Sequence, residues 1–273
     1  MATELTRLAQ GVFAWLQDPP GHGLANAGAV IDADGVTLVD TLMVPSQWEP
    51  FAEAVEALGH PIRRVVLTSS HIPYVGGTSR FWQAAFYGTS HTSDLLDLPP
   101  NVSGYRRLHP EYAHEFADDL ATRPISHMVD RAAALTSAVQ VVPLAGPSPG
   151  NLVVLVPGAS VCFAGALCSF GATPLGFEAD FEAWLAALEV VADSAELIVP
   201  GVGPPGGRRQ IEELAGYLQA CLEARGDVTK LAEGPWQRWS DRHFDEVNVE
   251  RAALMSQGVD QIPQAMLRLV GLA

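Results

Sequence analysis

The stretch Leu67–Thr78, LTSSHIPYVGGT, decides how this chain is read. It follows an apolar run, and together they predict a buried strand over Arg63–Thr68. The sequence then turns polar through Thr68, Ser69, Ser70 and His71. It passes Tyr74 and reaches the pair Gly76–Gly77, from which a helix is expected over Gly76–Phe81. A strand that ends in a polar loop and feeds a helix is where α/β proteins place their chemistry.

On the N-terminal side, Val12–Trp15 reads as an edge strand, and Ala29–Ile31 and Val36–Asp40 as a hairpin turning at Asp-Gly. Ser46–Leu58 carries apolar residues at helical spacing, with Ser46 placed to cap it. On the C-terminal side, Ala85–Tyr87 is a strand and Ser90–Leu96 a helix. The segment from about 101 to 134 lacks a strand pattern and is rich in His, Tyr, Arg and Pro, so it reads as a lid-like helical insertion with a helix over Pro110–Leu120. Strands follow at Val139–Pro143, Leu152–Val156, Ser160–Ala164 and Leu197–Pro200. Helices are expected at Glu178–Val191, Arg208–Ala224 and Phe244–Met255. Two halves of strands and helices favour a four-layer αββα sandwich, an α/β fold. A dinucleotide-binding sheet is not indicated, because no GxGxxG directly follows the first strand.

Composition narrows the function classes. The chain has 273 residues, 48% hydrophobic and 17% charged, enough for one large domain spanning 1–273. Its net charge of −15 gives no basic footprint for nucleic acid. Three cysteines and no CxxC indicate neither a disulfide framework nor a zinc knuckle. The opening MATELTRLAQ has no apolar leader core, and no apolar run approaches the roughly 18 residues of a membrane span. A cytoplasmic, enzyme-sized protein without nucleic-acid or membrane partners is expected. The Trp236–Trp239 pair beside Arg238 suits packing of the last helices and leaves a homodimer open.

Five motifs in order carry a resemblance: NAGAVID with LVDT (Asn26–Thr41), LTSSHIPYVGGT, GPSPGN (Gly146–Asn151), FAGAL (Phe163–Leu167) and VPGVGP (Val199–Pro204). Over nearly its whole length the chain resembles the metallo-β-lactamase superfamily. Through YGTSHTSDLL, GATPLGFEADFEAWLAALE and FDEVNVERA it is similar to the cyclase/thioesterase-type members of aromatic polyketide pathways. The resemblance implies the metallo-β-lactamase fold and metal-assisted chemistry, in which imidazoles and carboxylates hold zinc. At the positions of the family's ligands, however, stand Ser69, His71, Pro73, Tyr74, Pro147, Ala166 and Val202. Only His71 is kept, and one imidazole does not hold a divalent ion, so the expectation is no metal and no cofactor. His91, His109, His114 and Cys168 are the residues free to rebuild a site. His109 and His114 lie five apart, not at the i,i+4 spacing of a helical ligand pair.

Without metal, the expected chemistry rests on His71 as general acid or base, Tyr74 as donor to a carbonyl or enolate, and Ser69 or Ser70 as oxyanion donor or nucleophile. Asp40 is expected to be structural. Ser148, Cys168, His91, Arg106, His109 and Tyr112 are expected to bind substrate, with Tyr105, Arg107 and His114 as further residues of the lid. The expected ligand is a small hydrophobic or aromatic compound, with tethering to a carrier protein left open. Three functions remain open on the sequence. One is a metal-independent cyclase- or dehydratase-type enzyme on a polyketide-like intermediate. Another is a pseudoenzyme that binds or scaffolds in the same pathway. The least favoured is a metal-free hydrolase or thioesterase, for which no GxSxG elbow is present.

Overall fold

The computed structural model describes residues 5–273. Seven strands form the first sheet, in spatial order β1 (Leu5–Ala9), β2 (Val12–Trp15), β3 (Ala27–Asp32), β4 (Gly35–Val39), β5 (Ile62–Val66), β6 (Ala85–Gly88) and β7 (His127–Met128). Pairing is antiparallel from β1 to β4 and parallel from β4 to β7. The second sheet runs β12 (Leu197–Val202), β11 (Val161–Ser169), β10 (Leu152–Val156), β9 (Gln140–Pro143) and β8 (Ala133–Ala134). There β12 and β11 are parallel and the remaining pairs antiparallel.

Side-chain alternation sets the four layers, because successive residues of a strand point to opposite faces. Val30, Val39 and Val66 of the first sheet meet Leu152, Val154, Val161 and Phe163 of the second in a core between the sheets. The alternate residues face helices. Ala29, Leu38 and Val65 pack on Phe51 and Val55 of α1 (Pro45–Glu56). Val153, Cys162 and Ala164 pack on Trp184 and Leu188 of α5 (Phe181–Ser194) and on Leu214 and Leu218 of α6 (Arg208–Ala224). This is the expected αββα sandwich. No helix among the described residues is long and apolar enough to cross a membrane.

Several local expectations are corrected. The edge strand is β1, and Val12–Trp15 lies inside it. Ser46 does not cap α1: Val44 is the N-cap, and Pro45, with φ already fixed, starts the helix. Ser46 instead gives its N–H and hydroxyl to Glu115 at 2.8 and 2.7 Å. In place of a helix over Gly76–Phe81 there is a single turn, α2 (Ile72–Val75), then a 3₁₀ turn at Thr78–Phe81. Between 101 and 134 the helix is α4 (Val102–Leu108), capped by Asn101, and only a 3₁₀ turn forms at Pro110–Tyr112. The same segment supplies β7 and β8, one to each sheet. α5 begins at Phe181 because the Asp180 carboxylate accepts from Ala183 N–H at 2.9 Å, and this leaves Glu178 outside the helix. The helix α3 (Ser90–Leu96) stands where expected, and α7 (Asp245–Ser256) is followed by a helix not foreseen, α8 (Gln264–Leu269).

Candidate active site

The loop after β5 is held from behind before it reaches the site. Asp40, in the left-handed region at φ 59°, accepts Thr68 N–H at 2.8 Å and Thr68 hydroxyl at 2.7 Å. Its carboxyl is fully enclosed, and burial pushes its pKa up to about 7 against the pull of those two bonds. Asp40 therefore supports Thr68 and does not reach His71. Thr41 donates its N–H and hydroxyl to Tyr74 carbonyl at 2.8 and 3.2 Å, which fixes α2. Gly165 on β11 has φ 50°, and a Cβ there would lie 2.0 Å from Thr68 Oγ1. Only glycine lets the two sheets' loops meet at this point.

Above this floor lies a cavity of about 460 Å³. His71, Pro73, Tyr74, Pro147, Ala166 and Val202, six of the seven positions at which the resemblance places ligands, face it. Its roof is the end of α3 and α4, through Leu95, Leu98 and Tyr105. One side is the 172–178 loop, and another is the C-terminal segment, through Ile262, Met266 and Val270. Among the described residues no lysine or arginine contributes to the wall, and Glu178 is its one carboxylate. The wall is predominantly apolar, as suits a binding site for an uncharged compound.

The polar groups converge on one side. His71 Nε2 stands 3.8 Å from Glu178 Oε2, and its ring meets Phe177 edge-on at 5.5 Å. Tyr74 hydroxyl makes no hydrogen bond among the described residues and lies beside Gly201, where a Cβ would come within 2.6 Å of it. Burial, then the Asp40 charge, raises the Tyr74 pKa and keeps the hydroxyl protonated as a donor. Tyr105 hydroxyl accepts Ile72 N–H at 3.2 Å, and burial pushes its pKa up to about 12. His22, from the loop before β3, also lines the wall. It stacks on the His109 ring at 4.6 Å. Burial lowers both, His22 well below its ordinary range and His109 to about 4, so both rings are neutral at physiological pH.

The expected site residues divide. Ser70, His71, Tyr74 and Cys168 line the cavity. Ser69 does not: it is fully buried behind the loop, where its oxygen accepts His71 N–H at 3.3 Å. Cys168 is on the wall, but burial holds its thiol far above the ordinary range, so it supplies no thiolate. Ser148 is turned into its own loop, giving its N–H and hydroxyl to Asn151 Oδ1 at 2.8 and 3.2 Å. His91 packs beside Gly150. Arg106 is spent inside the lid, on Phe116 carbonyl and on Asp118 at 2.7 Å. Tyr112 and His109 lie behind the wall. Ser148, His91, Arg106, His109 and Tyr112 thus make structural contacts and are not among the residues that line the cavity. Sequence reading overlooked Glu178, Phe177 and His22 as wall residues. The Asp180 cap was the signal that placed Glu178 in a loop facing His71.

The donors present do not fit a zinc centre. Among the described residues His71 and Glu178 are the only imidazole–carboxylate pair at the cavity, and proline, alanine and valine offer no ligand at the other positions. Among the described residues no three His, Cys, Asp or Glu side chains come together to hold an ion.

Comparison with known proteins bears on the fold. Residues 20–202 match the profile of the metallo-beta-lactamase superfamily. The structure is similar to the mono-zinc form of the metallo-β-lactamase FIM-1 from Pseudomonas aeruginosa, with 23% identity and a TM-score of 0.61 over 80% of this chain and 96% of that one. A metallo-β-lactamase from Hirschia baltica gives 23% and 0.59 over 80% and 98%. A double mutant of the sec-alkyl sulfatase PisA1 gives 14% and 0.71, over 94% of this chain but 50% of that one. At these identities the likeness is one of fold. The profile match spans well over half of the sequence and takes in the floor of the cavity from His22 to Val202, and the chain belongs to the metallo-β-lactamase superfamily.

Proposed function

We propose that the protein is a metal-independent acid/base catalyst acting on an uncharged, apolar carbonyl compound of the polyketide type, by cyclisation, dehydration or a related rearrangement. The observation that carries this reading is the His71–Glu178 pair on the wall of an apolar cavity, with Tyr74 hydroxyl free beside it. His71 takes a proton from the carbon next to a carbonyl. Glu178 stabilises the imidazolium that results, while Tyr74 donates to the developing enolate oxygen. The enolate carbon then attacks a second carbonyl of the same molecule, and the imidazolium returns its proton to the new alkoxide. Loss of water from that product is the dehydration.

The other readings have less support. A Ser or Cys hydrolase is less favoured: Cys168 is held protonated, Ser69 and Ser148 are engaged in loop contacts, and Ser70, though on the wall, makes no hydrogen bond to an imidazole or carboxylate among the described residues. Tyr74 does not plug the cavity, which favours catalysis over a vestigial binding protein. If substrate arrives on a carrier, the arm's phosphate stays outside, because no lysine or arginine lines the wall among the described residues.

The test is proton exchange. 2-Tetralone, an uncharged bicyclic ketone, is incubated with the protein in D₂O and loss of its C1 proton signal is followed by NMR. The protein accelerates exchange, His71→Ala lowers the rate by about 10²- to 10⁴-fold, and Tyr74→Phe lowers it by about 10²-fold. Binding of the ketone without faster exchange overturns the catalytic reading in favour of a binding protein.

A further inference from the structure

The helix α7 has an unusual buried face. Asp245, Asn248 and Arg251 are spaced by three, so they share one side of the helix, and all three are buried. A polar side that is buried yet not at the cavity must be satisfied within the protein, and its partners here are specific. Asn248 Oδ1 accepts Gly176 N–H at 2.9 Å, and its Nδ2 donates to Pro174 carbonyl at 2.7 Å and to Tyr217 hydroxyl at 2.8 Å. Tyr217 donates onward to Asp245 at 2.9 Å. Arg251 Nε donates to Ala179 carbonyl at 3.0 Å, and its Nη2 to Glu178 carbonyl at 3.3 Å. The rest of that guanidinium reaches Gln261 carbonyl and Asp260, both at 3.0 Å. Two side chains of α7 thus grip both ends of the loop from Pro174 to Ala179. Between the grips stand Phe177, whose ring meets His71, and Glu178, whose carboxylate faces it.

We propose that Asn248 and Arg251 are positioning residues that set Glu178 and Phe177 against His71. The proposal rests on the reading of His71 and Glu178 as the acid/base pair. Neither residue lines the cavity, and both act through the loop. Lysine cannot replace Arg251, because it lacks the planar fork that reaches two loop carbonyls, Gln261 and Asp260 together.

The test has two arms. In the first, NMR follows the ring-proton contact between His71 and Phe177. Arg251→Lys reduces this cross-peak by at least about half in a variant whose core signals show it folded. In the second, 2-tetralone exchange is measured for Arg251→Lys, Glu178→Gln and the double variant. Arg251→Lys lowers kcat about tenfold with KM changed less than about twofold, and adds less than about twofold to the loss in Glu178→Gln. Should Arg251→Lys fail to fold, Asn248→Ser carries the same two measurements. An unchanged His71–Phe177 contact in a folded variant, or losses that multiply independently, overturns the clamp. A lost contact in a protein that never exchanges the ketone supports the clamp and overturns only the catalytic reading.

Discussion

Replacing Asp40 by asparagine tests the electrostatics beneath the site. The carboxyl is fully enclosed, accepts two bonds from Thr68, and has no cation beside it among the described residues. Its pKa rises from 3.8 to about 7 on folding. At 1.36 kcal/mol per pKa unit that rise corresponds to about 4 kcal/mol. The sign follows from proton counting. Below about pH 4 both states are protonated and nothing is lost. Between about 4 and 7 the folded state holds a proton that the unfolded state has released, so stability falls as pH rises. Above 7 the term is constant. Asparagine has the same shape and no such slope. His109 acts oppositely in the same window: burial takes its pKa from 6.5 to about 4, so its contribution is lost as pH falls. The wild-type profile alone therefore mixes the two, and the difference between wild type and Asp40→Asn isolates Asp40. Urea melts at half-unit steps from pH 4.5 to 8 measure it. The variant gains on the wild type with rising pH, by about 3 kcal/mol across that range. A difference constant within about 0.5 kcal/mol across that range refutes the argument and means that Thr68 alone keeps the carboxylate ionised.

Other substitutions probe single contacts. Gly165→Ala places a methyl on Thr68 at a left-handed backbone position and costs about 3 kcal/mol or more, read as a drop of about 6–12 °C in thermal midpoint. Tyr74→Phe changes the midpoint by less than about 2 °C, because the hydroxyl it removes has no protein partner. His109→Gln flattens the acid limb of stability below about pH 6.5 by up to about 3 kcal/mol, seen in urea melts from pH 4.5 to 7. EDTA treatment leaves both the melting midpoint and 2-tetralone exchange unchanged, and elemental analysis finds zinc far below one equivalent.

The layers and the floor were legible in the sequence because both rest on pattern. Alternation in strands such as Leu152–Val156 shows which residues face the partner sheet, and the motif positions give the floor residue by residue. What escaped depends on partners distant in the chain. Arg106 and Ser148 have the chemistry of substrate contacts, but nothing near them in sequence announces that Phe116, Asp118 and Asn151 already occupy them. Glu178 was taken into a helix because apolar spacing continues through it, while a single capping bond at Asp180 moved the helix start by three residues. The short helix α8 has no strong period, and its place over the cavity follows from packing against residues such as Leu108.

Among the described residues no lysine or arginine lines the cavity wall, and this bears on which anions could enter it. A β-lactam antibiotic carries a carboxylate. To enter this cavity it would shed water from that charge and find Glu178 as the nearest ion, a mismatch of several kcal/mol. Likeness of fold to metallo-β-lactamases at 14–23% identity therefore carries no expectation of β-lactam hydrolysis for this chain, because the wall residues, and not the sandwich, set which charge the cavity accepts.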